Sequence, residues 1–368
     1  MTVTRQLHDL GQSIWLDNIT RGILDDGTLE RYIREWSVTG LTSNPSIFDH
    51  AFKSGDAYDA AIRRESAAGK SGESLFFDLA IEDLQRAADL FRPVHDRTNG
   101  VDGWVSLEVS PLLAYDTAGT IDAAAELHGR AQRPNLFIKI PGTAEGAAAI
   151  EASIFAGVPV NVTLLFSAEQ YVAAAEAYMR GIERRIAEGR DPRIGSVASI
   201  FVSRWDVAVK DKVPPALRNR LGIAIAKRTY REYRAVLASP RWRALEAAGA
   251  QPQRLLWAST STKDPNAPDT LYVEALAAPD TINTMPGKTL AAFADHGHLS
   301  GVMPVNGGDA EDVLAEFTRA GVNDATLAAQ LQREGADSFD ESWKDLLACL
   351  ATKREAQTQP DHKPTRPS

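Results

Sequence analysis

Eight short apolar segments, each followed by a stretch of helical periodicity, run through this chain. That alternation constrains the fold more than any other feature of the sequence. The segments span 12–18, 38–43, 103–109, 136–140, 158–166, 196–202, 254–259 and 281–285. They have the short, apolar, turn-bounded character of buried strands. Between them, helical spacing covers 28–36, 56–67, 73–91, 120–131, 143–156, 167–188, 216–248, 270–276 and 287–295. Ser167 is placed to cap its helix, and Ser239-Pro240 to break the long one. Crossovers of this length suit parallel pairing, and the count and order predict a (β/α)8 TIM barrel. Residues 309–354 carry more helical periodicity, read as additional helices at the C-terminus that wrap the barrel. On this reading 1–352 is one domain, and the polar, proline-containing stretch 353–368 is a disordered tail.

Charge and composition narrow the partners. A net charge of -9 over 368 residues argues against nucleic acid or acidic membrane surfaces. Cys349 is the single cysteine, so no disulfide forms within the chain. The first residues have no apolar signal-peptide core, and no run is long enough to span a membrane. A cytoplasmic location is therefore expected. Asp295-His296-Gly297-His298 reads as a helix end with surface histidines, since a metal site would need a third ligand.

One of the eight segments holds a lysine. In Leu-Phe-Ile-Lys-Ile, Lys139 alternates with Ile138 and Ile140 and shares a face with Phe137. An amine walled by apolar groups has its charged form disfavoured, which makes it a nucleophile for a ketone carbonyl. A lysine that guards an edge strand or snorkels to water would need no such surroundings.

The other strands carry polar residues toward the same end, where barrel chemistry sits. They are Asp17, Thr42, Asn44, Glu108, Asn161, Thr163, Ser199 and Arg204, then Ser259 to Lys263 as Ser-Thr-Ser-Thr-Lys. Each has an ordinary structural use; Asp17 could cap a segment and Asn44-Pro45 could open a turn. Burying all of them without a shared partner would be costly, and a common cavity satisfies that cost. Two carboxylates beside an amine can shuttle the protons of carbinolamine dehydration and C–C cleavage. Thr163 could hold a water near Glu108. Asn44 and Asn161 can bind sugar hydroxyls. Arg204 with Ser259, Ser261 and Lys263 would bind an anion, most simply a phosphate.

The motifs Trp-Leu-Asp-Asn (15–18), Gly-Leu-Thr-Ser-Asn-Pro-Ser (40–46), Val-Ser-Leu-Glu-Val (105–109), Phe-Ile-Lys-Ile-Pro-Gly-Thr (137–143), Val-Asn-Val-Thr-Leu-Leu-Phe (160–166) and Ser-Ile-Phe-Val-Ser-Arg (199–204) stand in order along the chain. With them the sequence resembles the transaldolase family in its longer bacterial form, among the Schiff-base class I aldolases. The resemblance covers roughly 10–350. It implies a pentose-phosphate enzyme that transfers a dihydroxyacetone unit between sugar phosphates, with no metal or organic cofactor. It also implies Lys139 as the Schiff-base residue, Asp17 as acid/base, and Glu108 and Thr163 on the catalytic water. Asn44, Asn161 and Ser199 would bind the dihydroxyacetone part and Arg204 the phosphate, with Thr42 and Phe201 also among the substrate-binding residues. After the seventh strand the commoner form has Ser and Arg, so Ser259, Ser261 and Lys263 are the candidates here. The related fructose 6-phosphate aldolases carry Gln at the Glu108 position and Tyr at the Phe201 position, which favours transfer over simple cleavage in this chain. A monomer or homodimer is expected.

Overall fold

The computed structural model describes residues 2–358. Eight strands are present: β1 (Gln12–Asp17), β2 (Val38–Thr42), β3 (Val105–Glu108), β4 (Leu136–Pro141), β5 (Val160–Leu165), β6 (Ser196–Phe201), β7 (Arg254–Ala258) and β8 (Thr281–Met285). Each pairs in parallel with its sequence neighbours, and β8 returns to β1, closing the barrel. Closure leaves no edge strand for Lys139 to guard. The helix α1 (Val3–Asp9) precedes β1, and α2 (Arg21–Asp25) and α3 (Thr28–Glu35) follow it. Next come α4 (Pro45–Lys53), α5 (Asp59–Ala67) and α6 (Gly72–Arg97) after β2, α7 (Thr117–Ala131) after β3, α8 (Ala144–Ala156) after β4 and α9 (Ala168–Ala187) after β5. After β6 lie α10 (Ser203–Val209), α11 (Leu221–Ala238) and α12 (Pro240–Ala247); α13 (Leu271–Ala275) follows β7. Finally α14 (Gly287–His296), α15 (Ala310–Arg319) and α16 (Asp324–Thr358) follow β8. No helix among the described residues is long and apolar enough to cross a membrane.

Strand alternation divides the core in two. Leu136, Ile138 and Ile140 join the apolar layer between barrel and helices, whereas Phe137 packs inside the barrel with Trp15, Trp104, Val197, Leu256 and Ile282. Trp104 stacks on Phe137 with centroids 4.0 Å apart. Beneath these rings a polar plug closes the floor. Asp102 accepts from the Ser13 hydroxyl and, at 2.8 Å, from Trp15 Nε1, while Arg254 donates to Ser13 Oγ at 2.7 Å and to the Thr281 carbonyl at 2.9 Å.

The cap expected at Ser167 is present, its hydroxyl accepting from Gln170 N, and so is the break expected at Ser239-Pro240: α11 ends at Ala238, α12 begins at Pro240, and Ser239 Oγ accepts from Trp242 N. Several helices depart from the expectation. Asn44-Pro45 ends β2 but also starts α4: Asn44 Oδ1 accepts from Ile47 N at 3.0 Å and Pro45 occupies the first turn. The helix expected to stop at 91 runs through Pro93 to Arg97, because Phe91 and Val94 are buried on either side of an exposed Pro93. At the C-terminus α16 is a single helix that continues to Thr358. Residues 353–358, expected as the start of a disordered tail, are helical, and Lys353 Nζ bonds Asp59 and the Gly55 carbonyl at 2.7 Å each. Residues 359–368 lie outside the described residues.

The floor makes a testable demand. A Cβ at Gly40 would lie 2.6 Å from the Trp15 ring, whereas one at Gly129, inside α7, meets open space. Gly40→Ala is expected to lower unfolding free energy by about 1–3 kcal/mol through overpacking, and Gly129→Ala to raise it by about 0.5–1 kcal/mol. Urea denaturation of the two variants checks both signs.

Candidate active site

Parallel register sets the site. Glu108 on β3 stands beside Lys139 on β4, Lys139 beside Asn161 on β5, and Asp17 on β1 beside Thr42 on β2. Asp17, Thr42, Glu108 and Lys139 lie in the carboxyl halves of their strands, at one mouth of the barrel, and Asn161, near the start of β5, lies a layer lower. A cavity of about 330 Å³ opens there, with Asp17, Asn44, Lys139, Thr163 and Arg204 among its lining residues.

Lys139 is 5% exposed, and its Nζ donates to Glu108 Oε2 at 3.2 Å and to the Ser43 carbonyl at 3.3 Å. Glu108 is buried too, and its Oε1 has no partner among the described residues; the same holds for Thr163 Oγ1. Buried polar atoms are rarely left so, and a water held between carboxylate and hydroxyl would serve both. Asp17 accepts from Thr42 Oγ1 at 2.7 Å, and Thr42 and Thr284 share a hydroxyl contact of 2.6 Å. Below Lys139 a relay crosses three strands: Ser199 Oγ donates to Asn161 Oδ1 at 2.8 Å, and Asn161 Nδ2 donates to Ser106 Oγ at 3.1 Å. Asn44 spends its Oδ1 on the α4 cap, which leaves its amide nitrogen for the cavity it lines.

The far side of the cavity is cationic. Arg204, in the first turn of α10, makes no salt bridge among the described residues and lies over the Phe201 ring at 5.1 Å. Ser259, Ser261 and Lys263 complete this side, with Lys263 Nζ donating to Ser261 Oγ at 2.7 Å. Ser259 has φ 56 and shares a 2.8 Å hydroxyl contact with Ser203 beside Arg204. A neighbouring cavity of about 700 Å³ shares Arg204, Ser259 and Lys263 but contains neither Lys139 nor Asp17.

Burial dominates both carboxylates. It pushes Glu108 above its ordinary 4.5, opposed by the Lys139 ammonium, with the Asp17 charge adding to the rise. It pushes Asp17 above 3.8, opposed by Lys139 and by the Thr42 hydroxyl. Asp17 keeps some surface open to the cavity, yet protein encloses it closely enough for burial to prevail. Two acids with raised proton affinity around one amine are suited to give and take protons.

Comparison with known proteins agrees with this geometry. The family described as Transaldolase/Fructose-6-phosphate aldolase matches residues 14–350. The chain belongs to this family. A transaldolase of Arthrobacter sp. (strain FB24) is 46% identical over 368 residues, covering 96% of this chain and 99% of the relative. One from Thermobifida fusca is 45% identical with the same coverage, and "Transaldolase 2" of Nostoc punctiforme is 41% identical over 95% and 96% of the two chains.

Every site residue expected from the sequence is brought to this end of the transaldolase-family barrel, Asn161 in the layer just below the cavity and Glu108 against the lysine. Sequence reading missed Ser43, Ser106 and Thr284; of these, Ser106 lies two residues before Glu108 and so on the same face of β3, which strand parity could have marked. It also missed Phe339, whose ring lies 5.7 Å from Lys139 Nζ. No strand pattern could reveal that residue, since it comes from α16.

The sign of the Asp17 shift gives a stability test. An acid whose folded-state pKa is raised costs stability as pH climbs past its unfolded value. Asp17→Asn is therefore expected to be more stable than the parent at pH 7, with the gain shrinking as pH falls toward 3.8. Melting temperatures across pH 4–8 check this. A variant no more stable at neutrality would contradict it.

Proposed function

We propose that the chain is a transaldolase. It transfers a dihydroxyacetone unit reversibly between sedoheptulose 7-phosphate or fructose 6-phosphate as donor and glyceraldehyde 3-phosphate or erythrose 4-phosphate as acceptor. The observation that carries this reading is the Lys139 amine, buried against Glu108 in a cavity with Asp17 on one side and the Arg204 guanidinium on the other. Family membership and relatives named transaldolase support it.

Glu108, whose proton affinity burial has raised, takes a proton from Lys139 and frees the nitrogen lone pair. The amine adds to the C2 carbonyl of the ketose. Glu108 and a water held by Thr163 pass the protons that expel hydroxide as water, giving the iminium. Asp17 then takes the C4 hydroxyl proton. The C3–C4 bond breaks, its electron pair moves to the iminium nitrogen, and the aldehyde phosphate leaves. The enamine left on Lys139 attacks the acceptor aldehyde, and the steps reverse.

Asn44 and the Asn161–Ser199 relay hold the hydroxyls of the retained three carbons, with Thr42 and Phe201 shaping the pocket. Arg204 holds the phosphate, with Ser259, Ser261 and Lys263 beside it. Action in the cytosol on soluble sugar phosphates goes with this chemistry.

A coupled assay of glyceraldehyde 3-phosphate formed from fructose 6-phosphate and erythrose 4-phosphate tests the reading. Lys139→Ala is expected to lower the rate by at least about 10³-fold, roughly 4 kcal/mol of barrier, without unfolding the protein. Retention of transfer by that variant, or release of free dihydroxyacetone at the same rate with or without acceptor in the wild type, would contradict it. Arg204→Ala is expected to raise KM for the phosphorylated acceptor by about 10- to 150-fold, the equivalent of one charge-assisted hydrogen bond, and to leave KM for unphosphorylated glyceraldehyde nearly unchanged.

A further inference from the structure

The C-terminal helix roofs the cavity. Spaced at four residues along α16, Leu331, Gly335 and Phe339 face the barrel mouth. Leu331 lines the neighbouring cavity and Phe339 the catalytic one. Gly335 lets the helix descend: a Cβ there would lie 2.9 Å from Leu164 Cδ2 and 3.2 Å from Arg204 Nη1. The helix is fastened on both sides of this stretch. Gln332 Nε2 donates to the carbonyls of Gly142 at 3.0 Å and Leu164 at 2.9 Å, at the ends of β4 and β5. Trp343 Nε1 donates to Glu73 Oε1 at 2.9 Å, and Ser342 meets Ser46 at 2.8 Å.

Between these anchors the Phe339 ring is 5% exposed, with its centroid 5.7 Å from Lys139 Nζ and 5.8 Å from Arg204 Cζ. It is an apolar surface placed midway between the amine and the guanidinium, where bulk water would otherwise enter.

We propose that Phe339 determines whether the dihydroxyacetone unit on Lys139 is passed to an acceptor aldehyde or lost to water. The inference rests on the Schiff-base reading above. After the aldehyde leaves, the enamine has two fates. Attack on an acceptor carbonyl forms a new C–C bond. Alternatively, the enamine carbon takes a proton, water adds to the resulting iminium carbon, and the C–N bond breaks to give dihydroxyacetone and free amine, with one water consumed and no change of oxidation state. The ring slows the second route by keeping bulk water from the enamine carbon, which must be protonated before hydrolysis can begin, while the unpartnered Glu108 and Thr163 oxygens still serve the water that normal product release requires.

The test is the ratio of free dihydroxyacetone released to units transferred, measured with fructose 6-phosphate and erythrose 4-phosphate on the full chain. Phe339→Ala is expected to raise that ratio at least about fivefold, and Phe339→Leu, which restores apolar bulk, to return it toward the wild-type value. Phe339→Gln, comparable in length to leucine but polar, is expected to raise it as well, and covers the case in which the alanine variant does not fold. An unchanged ratio in the variants that fold would overturn the proposal, as would an equal fall of transfer and release, because a ring with only a structural role lowers both together. A wild type that transfers nothing would instead refute the Schiff-base reading beneath it.

Discussion

An ammonium and a carboxylate held 3.2 Å apart with almost no water contact are the most demanding interaction in this molecule. Each ion loses several kcal/mol of hydration on burial, and their attraction repays this only in good geometry. The geometry comes from the sheet. Parallel pairing puts Glu108 and Lys139 at the same level on adjacent strands, both directed inward. Barrel closure then surrounds them with six more strands and leaves one open end. A buried pair of this kind stabilises the fold poorly, and the proposed Schiff-base chemistry gives its burial a use.

The rest of the barrel divides accordingly. The floor is sealed by Trp15, Trp104 and Phe137 over the Asp102–Ser13–Arg254 plug. Rigid packing there fixes the strand ends above it. Two of the seven non-glycine residues with positive φ among the described residues lie toward the mouth: Leu164 has φ 57 where the β5–β6 register shifts, and Ser259 has φ 56 beside Arg204. Left-handed conformations at non-glycine residues persist where surrounding structure holds them, and here they flank the cavity.

Much of this was legible in the sequence because strands announce themselves by short apolar runs and barrel chemistry by polar interruptions near their ends. The strand segments around Asp17, Glu108, Lys139, Asn161 and Arg204 were found on that signal alone. Helices were less legible. Asn44-Pro45 reads in the sequence as a turn opener, although the same pair caps and begins α4. The short α10 that carries Arg204 has too few residues to show a period. The spacing over 73–91 does not show the helix continuing through Pro93, because the burial of Phe91 and Val94 around it is a tertiary fact. Phe339 was beyond reach for the same reason: its place over Lys139 depends on where α16 lies, which Gly335 and Gln332 decide by contacts with residues far away in sequence.

The central claim is that one nitrogen, Lys139 Nζ, forms a covalent bond to the ketose. Borohydride reduction in the presence of fructose 6-phosphate, followed by peptide mass mapping, addresses it directly. The account predicts a stable addition of the mass of a reduced dihydroxyacetone unit on Lys139 and on no other lysine. An adduct on a different lysine, or none at all while transfer proceeds, would contradict it.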